Sequence, residues 1–422
     1  MRFDTLPEWL DWQEKLHFTE VDPGLERIGQ VWQRLNVTLS FKIITVAGTN
    51  GKGSSVAMLD SILHVAGYKT GRYTSPHLLR YNERIVVAGN ACSDQELCEA
   101  FEKIDAARGA ISLTYFEFAT LAAILLFHQH QVDIAILEVG MGGRLDAVNL
   151  FDADIALITA ISLDHTQWLG QDRETIAFEK AGVIRQNQPV ICSEALPAKS
   201  LLAHAESLQA PTFIAHQHFH YEISETEWHW SNAEHQWHSL NFPALSGQYQ
   251  IQNAAAVLQV LSILIKQGLT INKAQIDQGL TTVILAARFQ KIAGPVNQYF
   301  DVTHNIQGAT NLASLLAATP CEGLTFAVLG MLKDKKAYDV AKILSPRVDA
   351  WYLGGLSLGR GLSGEALAAQ VEQGIVDDKP IVAYDSVLEA YNMAMKEAKP
   401  GDRILVFGSF HTVAAVMLAN AQ

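Results

Sequence analysis

The chain has few cysteines, no long apolar run and no excess of positive charge, and each absence excludes a class of protein. Its 422 residues include only four cysteines and no C-x-x-C spacing, which excludes a disulfide framework. The lack of an uncharged apolar run of about 18 residues excludes a membrane-spanning helix. The net charge is −13, so we do not expect the basic face that nucleic-acid binding needs.

The N-terminus also lacks the charged and then apolar pattern of a secretory signal, so we expect a cytoplasmic protein. Apolar residues make up 49% and charged residues 18% of the chain, which is typical of a globular enzyme. A length of 422 residues allows two or three domains. Acidic small molecules remain possible substrates, because a local basic site can lie on an acidic protein.

The most informative segment is a glycine-rich loop between a predicted strand and a predicted helix. An apolar run over residues 41–47 leads into Gly-Thr-Asn-Gly-Lys-Gly-Ser at 48–54, and a helix-forming run over 54–66 follows. Glycines let backbone N–H groups converge on one point, a helix N-terminus adds partial positive charge, and Lys52 adds a full charge. The loop predicts a nucleotide phosphate site, although Gly53 departs from the common G-x-x-x-x-G-K-[ST] pattern.

Strand and helix patterns alternate over the first two-thirds of the chain. Residues 133–139 and 154–160 are short apolar runs typical of buried parallel strands, and 116–130 is the clearest helix. An alternating stretch at about 215–245 predicts a β-hairpin or meander. Its six histidines have the spacing of exposed strand faces, so a metal site there is not favoured. A second α/β series begins after a boundary at about 285–295.

These patterns predict an α/β fold with two domains. Residues 1–287 would form an N-terminal P-loop-type ATPase domain, with a mostly parallel sheet plus a small β excursion. Residues 288–422 would form a C-terminal Rossmann-like α/β domain.

Several polar residues follow predicted strands of the first domain, where ligands bind in open α/β sheets. Glu138 ends a buried strand, and the glycine-rich stretch after it favours a role in holding Mg²⁺. Ser75 could supply a hydroxyl ligand. His165 has either a structural role or a role toward metal or phosphate, and Lys180 taken alone is a helix-surface lysine.

In the second domain, Asp301 and His304 lie at a predicted strand end. Arg288 lies in the linker between the domains. Such a residue is either merely solvated or contacts a phosphate when the domains close.

Seven segments together resemble the folylpolyglutamate synthase family of the Mur ligase superfamily. They are residues 48–54, 75–78, 137–140, 143–147, 163–165, 179–182 and 301–305. Residues 112–117 and 163–170 further resemble the bacterial bifunctional dihydrofolate synthase/folylpolyglutamate synthases. The similarity runs in order from about residue 5 to residue 418, so it is highly specific.

The resemblance implies a nucleotide and metal site. The residues that would bind the nucleotide are Thr49, Asn50, Gly51, Lys52, Gly53, Ser54, Asn253, Arg288 and Asp301. Mg²⁺ would be held by Ser75, Glu138 and His165. Lys180 matches a lysine that is carbamylated in the superfamily, which would place a carbamate (N6-carboxylysine) near the metal and make Lys180, His165 and Lys52 catalytic residues.

The resemblance also implies where the other substrates bind. Dihydropteroate would contact Asp22, Pro23, Gly24, Thr114, Tyr115, Phe116, Glu117, Leu145, Asp146 and Ala147. Phe116 could stack on the flat pterin, and Asp146 could accept its N–H groups. L-Glutamate would lie on the side of His304 and Ser409.

The linker departs from the family pattern. It reads Leu-Ala-Ala-Arg-Phe, where the family usually has Leu-Pro-Gly-Arg-Phe. Without proline and glycine, we expect a more helical backbone at Ala286 and Ala287.

The function predicted is an ATP- and Mg²⁺-dependent amide ligase that joins L-glutamate to dihydropteroate and extends reduced folates with γ-linked glutamates through an acyl phosphate. We expect a monomer with small-molecule substrates only. Two alternatives remain: a folylpolyglutamate synthase without the dihydropteroate activity, and an NTPase that hydrolyses ATP without ligation.

Overall fold

The N-terminal sheet forms from short strands that are apolar along their whole length. In the computed structural model, which describes residues 2–375 and 378–420, strands such as Ile134–Glu138 and Ile155–Ile158 are buried at every position. The chain divides into two compact units. The first runs to Ala244 and resumes over Gln250–Ile284, and the second combines Leu245–Tyr249 with the chain from Leu285 onward.

The strands and helices are as follows. The strands, in chain order, are β1 (Lys42–Ala47), β2 (Thr70–Tyr73), β3 (Ile85–Val87), β4 (Asn90–Ala91), β5 (Ile134–Glu138), β6 (Ile155–Ile158), β7 (Val190–Cys192), β8 (Thr212–Ile214), β9 (Phe219–Ile223), β10 (Trp228–Asn232), β11 (Gln236–Leu240), β12 (Gln290–Ile292), β13 (Asn297–Phe300), β14 (Thr325–Leu329), β15 (Ala350–Gly354), β16 (Ile381–Tyr384) and β17 (Arg403–Phe407). The helices are α1 (Leu6–Leu16), α2 (Glu26–Leu35), α3 (Lys52–Val65), α4 (Asp94–Arg108), α5 (Tyr115–Gln129), α6 (Thr166–Leu169), α7 (Arg173–Ala181), α8 (Lys199–Ser207), α9 (Gln248–Lys266), α10 (Lys273–Thr282), α11 (Ile306–Ala318), α12 (Ala337–Leu344), α13 (Gly364–Gly374), α14 (Val387–Glu397) and α15 (Phe410–Asn420).

The first unit contains a sheet in the order β4-β3-β2-β5-β1-β6-β7-β8. Pairing is parallel from β2 to β8, as predicted, and β3 and β4 add an antiparallel edge that was not predicted. The turn between β3 and β4 has positive φ at both Ala88 and Gly89, as in a type I′ hairpin. The Ala-Gly-Asn sequence of this turn was a weak signal that could have indicated the edge.

The strand β1 lies between β5 and β6, and this register decides where the site can form. Val46 is paired with Glu138 on one side and with Leu157 on the other. Because these strands are parallel, the segments that follow them emerge at the same edge of the sheet. The glycine-rich loop therefore begins beside Glu138.

A separate three-stranded antiparallel sheet, in the order β11-β10-β9, forms the small β excursion that the sequence predicted. Trp228 and Trp230 of β10 are fully buried. The indole N–H of Trp230 donates to the carbonyl of Ala255 in α9 at 2.9 Å, which anchors this sheet to that helix.

The second unit has a sheet in the order β12-β13-β17-β14-β15-β16, in which only β12 runs antiparallel to its neighbour within the described residues. The expectation of a more helical linker backbone is wrong at Ala287. This residue has φ of +55° in the left-handed region. Its N–H donates to Gln290 Oε1 at 3.0 Å and its carbonyl accepts from Val302 at 3.1 Å, so local hydrogen bonds hold a conformation that favours glycine.

None of the helices in the described part of the chain has both the length and the apolar character needed to cross a bilayer.

The glycine at the centre of α10 permits close contact with α3, the helix that follows the glycine-rich loop. A Cβ atom at Gly279 would lie 2.5 Å from Ile62 Cα, and the Gly279 carbonyl accepts a hydrogen bond from Ser61 Oγ at 2.7 Å. Backbone cannot move aside as a flexible side chain can, so the two helices depend on this glycine for their separation.

We expect Gly279→Ala to lower the free energy of unfolding by about 1–3 kcal/mol, because the added methyl group forces α10 away from α3. Urea denaturation measures this loss. Gln278→Ala is the matched control on an exposed position of the same helix, and it should change the free energy by less than about 0.5 kcal/mol. An unchanged midpoint for Gly279→Ala would contradict the packing described.

Candidate active site

The glycine-rich loop is shaped by two glycines with positive φ. Gly48 has φ of +146°, and a Cβ atom there would lie only 1.9 Å from Thr159 Oγ1. Gly51 has φ of +95° and directly precedes α3, a helix of 14 residues. This conformation directs a helix N-terminus, with its partial positive charge, toward the end of the loop. The arrangement fits an anionic ligand such as a phosphate.

Two lysine side chains donate to the same loop carbonyl. Lys52 Nζ lies 3.1 Å from both Gly48 O and Thr49 O, and Lys180 Nζ lies 2.8 Å from Gly48 O. Lys180 is buried, and this burial, together with the charge of Lys52, lowers the pKa of its amine to about 7. The nearby charges of Asp164 and Asp146 oppose this effect. Burial and the charge of Lys52 thus favour the uncharged form of the Lys180 amine.

The start of the loop is tied to the segment after β6. The N–H groups of Thr49 and Asn50 donate to Ala160 O at 2.8 and 3.2 Å. Thr49 Oγ1 donates to Ser162 O at 3.0 Å and accepts from the Ser162 N–H at 3.1 Å. The Thr49 side chain thus anchors the loop to the segment that leads to His165.

Polar residues of α9 lie against the other side of the loop. Asn253 Oδ1 would be 2.5 Å from a Cβ atom at Gly51. Asn253 Nδ2 donates to Gln250 Oε1 at 3.0 Å, and Gln250 Nε2 donates to Ser54 Oγ at 3.2 Å. All three side chains are buried. Sequence reasoning missed Gln250, although its spacing of three residues from Asn253 puts both on one helix face.

Ser75 and Glu138 form the centre of the candidate metal site. Glu138 is buried at the end of β5, and its Oε2 accepts a hydrogen bond from the Ser75 N–H at 3.4 Å. Hydroxyl and carboxylate oxygens are hard ligands that suit Mg²⁺, which usually keeps several waters and binds one or two carboxylates plus phosphate. The described residues contain no group of three or more His, Cys, Asp or Glu that could hold a metal by themselves. A buried carboxylate beside a serine is the kind of oxygen donor pair that suits a hard divalent cation.

His165 lies after β6, at the beginning of the short helix α6. It has φ of +49°, and its N–H donates to Asp164 Oδ1 at 2.8 Å. Its place in the metal site stays a prediction.

The three segments predicted to bind dihydropteroate are connected to one another. The Gly24 N–H donates to Leu145 O at 3.3 Å. Arg27 pairs with Asp22 at 2.6 Å and with Glu117 at 3.1 Å. Residues 22–24, 114–117 and 145–147 therefore share one region of the first unit.

Thr114 and Glu117 also have a structural role, which the sequence reasoning did not recognise. Thr114 precedes α5, and its Oγ1 accepts from the Glu117 N–H at 3.2 Å, while a Glu117 carboxylate oxygen accepts from the Thr114 N–H at 2.7 Å. This is a capping box, and the T-x-x-E spacing was its signal. Burial raises the pKa of Glu117, an effect that its hydrogen bonds with Thr114 and the charge of Arg27 oppose.

Phe116 and Asp146 lie around the segment that follows β5. The Phe116 ring is partly exposed and packs on Gly140, where a Cβ atom would lie 2.6 Å from the ring. Asp146 accepts hydrogen bonds from the N–H groups of Met141 and Val148 at 2.9 and 3.0 Å. Burial raises the pKa of Asp146 to about 6. One carboxylate thus holds the turn that carries residues 145–147.

In the second unit, Asp301 fixes the backbone next to Arg288. Its buried carboxylate accepts from the N–H groups of Phe289 and Thr303, both at 2.8 Å. The Arg288 guanidinium carbon lies 5.5 Å from the centre of the Phe410 ring, which is a cation–π contact. Sequence reasoning missed Phe410 as the partner of this arginine.

His304 and Ser409 lie in the same unit. His304 Nδ1 is 2.9 Å from Val302 O. Ser409 Oγ accepts from the Thr412 N–H at 3.0 Å, so Ser409 caps the start of α15. Their role toward glutamate stays a prediction.

Comparison with known protein families matches both parts of the chain. Residues 46–261 match the Mur ligase middle domain, and residues 287–410 match the Mur ligase glutamate ligase domain. The Escherichia coli (strain K12) dihydrofolate synthase/folylpolyglutamate synthase is 41% identical over 98% of this chain and 94% of its own length.

Solved structures of similar proteins support the same family assignment. The E. coli FolC structure in complex with DHPP and ADP superposes with a TM-score of 0.93 at 41% identity, covering 99% of this chain and 98% of that one. A bifunctional folylpolyglutamate synthase/dihydrofolate synthase with Mn, AMPPNP and L-glutamate bound has a TM-score of 0.90 at 41% identity, over 99% of this chain and 98% of that chain.

The predictions of the α/β fold class and of an ATP-dependent ligase are confirmed. The chain belongs to the dihydrofolate synthase/folylpolyglutamate synthase family of Mur ligases.

Proposed function

We propose that this enzyme uses ATP and Mg²⁺ to add L-glutamate to 7,8-dihydropteroate and further γ-linked glutamates to reduced folates. The observation that carries the proposal is the register of β1 with β5. It brings Glu138 beside the glycine-rich loop, whose Gly48 carbonyl accepts from both Lys52 and Lys180, and the pairing of β2 with β5 brings Ser75 next to Glu138.

The reaction has two chemical steps. A carboxylate oxygen of the folate substrate attacks the γ-phosphorus of ATP, the bond to the β-phosphate oxygen breaks, and ADP and an acyl phosphate form. The amine of glutamate then attacks the acyl carbon, phosphate leaves, and the amine loses a proton. Both activities share this chemistry, so one site can perform them.

The residues act mainly by positioning and charge. The loop 49–54 and Lys52 bind the ATP phosphates, with Asn253 near the nucleotide base. Ser75, Glu138 and His165 would hold Mg²⁺, which would neutralise phosphate charge when bound. Arg288 and Asp301 contribute to nucleotide binding, and His304 and Ser409 to glutamate binding. The domain division at 287/288, a monomeric state and a cytoplasmic location belong to the proposal as well.

We further propose that Lys180 is carbamylated. Its uncharged amine attacks the carbon of CO₂ and releases a proton, which leaves a carbamate anion that can help to order Mg²⁺. The burial of Lys180 and its lowered pKa of about 7 support this proposal, because carbamate formation requires the uncharged amine.

Lys180→Ala should reduce kcat by about 100-fold or more, because the anion near the metal is lost. Added short carboxylates such as formate should restore part of the activity, whereas chloride at the same ionic strength should not. Steady-state kinetics with each salt measures this. Wild-type turnover in Lys180→Ala would refute the carbamate role.

Phe116→Ala should raise the KM for dihydropteroate about tenfold while leaving the KM for ATP nearly unchanged, since the ring provides a stacking wall for the pterin. Phe242→Ala, at another partly exposed phenylalanine, is the control and should change neither constant. An equal rise in both KM values would contradict a role specific to the pterin.

The rate of ADP formation separates ligation from the two alternatives. Ligation predicts that ADP release requires both dihydropteroate and glutamate, and that a reduced folate can replace dihydropteroate. Activity with reduced folates alone would indicate a folylpolyglutamate synthase only. Equal ADP release without either acceptor would indicate an NTPase and contradict the proposal.

A further inference from the structure

Arg27 of α2 connects two of the three segments assigned to dihydropteroate. Its Nη1 lies 2.6 Å from Asp22 Oδ2, and its Nη2 donates to Asp22 O at 2.7 Å and to Glu117 Oε1 at 3.1 Å. The planar guanidinium can serve both acidic residues at once because its donors are held in a fixed fork. Arg27 thereby sets the distance between residues 22–24 and the start of α5.

His17 provides a second connection between the same segments. Its Nε2 lies 3.0 Å from Asp22 Oδ2, and its Nδ1 lies 2.9 Å from Ser112 Oγ, two residues before the cap of α5. The His17 side chain is only 3% exposed. Asp22 is therefore held by His17 and Arg27 together, and both connections lead to residues 112–117.

The third segment joins through backbone. The Gly24 N–H donates to Leu145 O at 3.3 Å, so a shift of residues 22–24 is transmitted to residues 145–147. The burial of Glu117 makes the Arg27 contact important, because a buried carboxylate that loses its partner is strongly unfavourable. Neither Arg27 nor His17 is among the residues proposed to contact a substrate, so these contacts indicate a role in holding the segments.

We propose that Arg27 and His17 are positioning residues that hold the three dihydropteroate-binding segments in their binding arrangement before the substrate arrives. Preorganised segments lose less conformational entropy on binding, so the effect falls on dihydropteroate affinity and not on ATP affinity. The inference rests on the proposed function, because it assumes that these segments bind dihydropteroate.

The test compares Arg27→Ala, Arg27→Lys and His17→Gln with the wild type. Direct binding of dihydropteroate is measured by fluorescence titration, and KM and kcat are measured for dihydropteroate and for ATP. We expect Arg27→Ala to weaken dihydropteroate binding by about 10- to 100-fold with the KM for ATP changed less than about twofold. Arg27→Lys should recover only part of the loss, because a single ammonium group cannot pair with both Asp22 and Glu117. His17→Gln should weaken dihydropteroate binding less than Arg27→Ala does.

Arg403→Ala is the matched control in the second unit, where Arg403 is a buried arginine that donates to the carbonyls of Leu316 and Thr319. It should lower stability without weakening dihydropteroate binding. If Arg27→Ala does not fold, Arg27→Lys and His17→Gln decide the question.

Folded Arg27 and His17 variants that bind dihydropteroate as tightly as the wild type would overturn the inference. An equal loss for dihydropteroate and ATP would also overturn it, because that result indicates general destabilisation. Failure of the wild type itself to bind dihydropteroate would instead contradict the proposed function.

Discussion

The carbonyl oxygen of Gly48 accepts hydrogen bonds from two lysine side chains, and the nucleotide end of the first unit depends on this arrangement. Lys52 reaches it from the start of α3, and Lys180 reaches it from α7. Two ammonium groups so close together repel each other, and burial adds to the cost for Lys180. The repulsion is relieved when Lys180 loses its proton or when an anion binds between the two groups. This relief by an anion or by loss of a proton is what the proposals of phosphate binding at the loop and of carbamylation at Lys180 rest on.

The pairing of β1 with its two neighbouring strands places further candidate site residues around the loop. Because β1 is paired with both β5 and β6, the loop is flanked by Glu138 on one side and by the segment containing Ser162 on the other. The chain after β5 then carries Asp146, whose carboxylate holds the turn of residues 145–147, one of the segments proposed to bind dihydropteroate. A short path of backbone thus links the residues proposed to bind metal, phosphate and pterin.

Features that rest on local patterns were predictable from the sequence. The apolar runs located β1 and β5 within one or two residues, because buried parallel strands must be apolar on both faces. The glycine-rich loop between strand and helix was predictable for a similar reason, because few residues other than glycine adopt positive φ at two positions so close together.

Features that depend on tertiary contacts were not predictable. Gln250 belongs to no sequence motif, and its hydrogen bond to Ser54 Oγ depends on where α9 packs in the fold. The capping box of Thr114 and Glu117 is an exception, because its T-x-x-E spacing is a local pattern that was predictable, although only a substrate role was expected for these residues. Ala287 adopts a left-handed conformation because hydrogen bonds with Gln290 and Val302 impose it, which no local propensity would indicate.

The most direct test of the account is the titration of the Lys180 amine. NMR of protein labelled at lysine, compared with Lys180→Met to assign the signal, follows this group across pH in buffer free of CO₂. We expect a midpoint near 7, because Lys180 is buried beside Lys52. A midpoint near 10.4, the ordinary value for lysine, would contradict it.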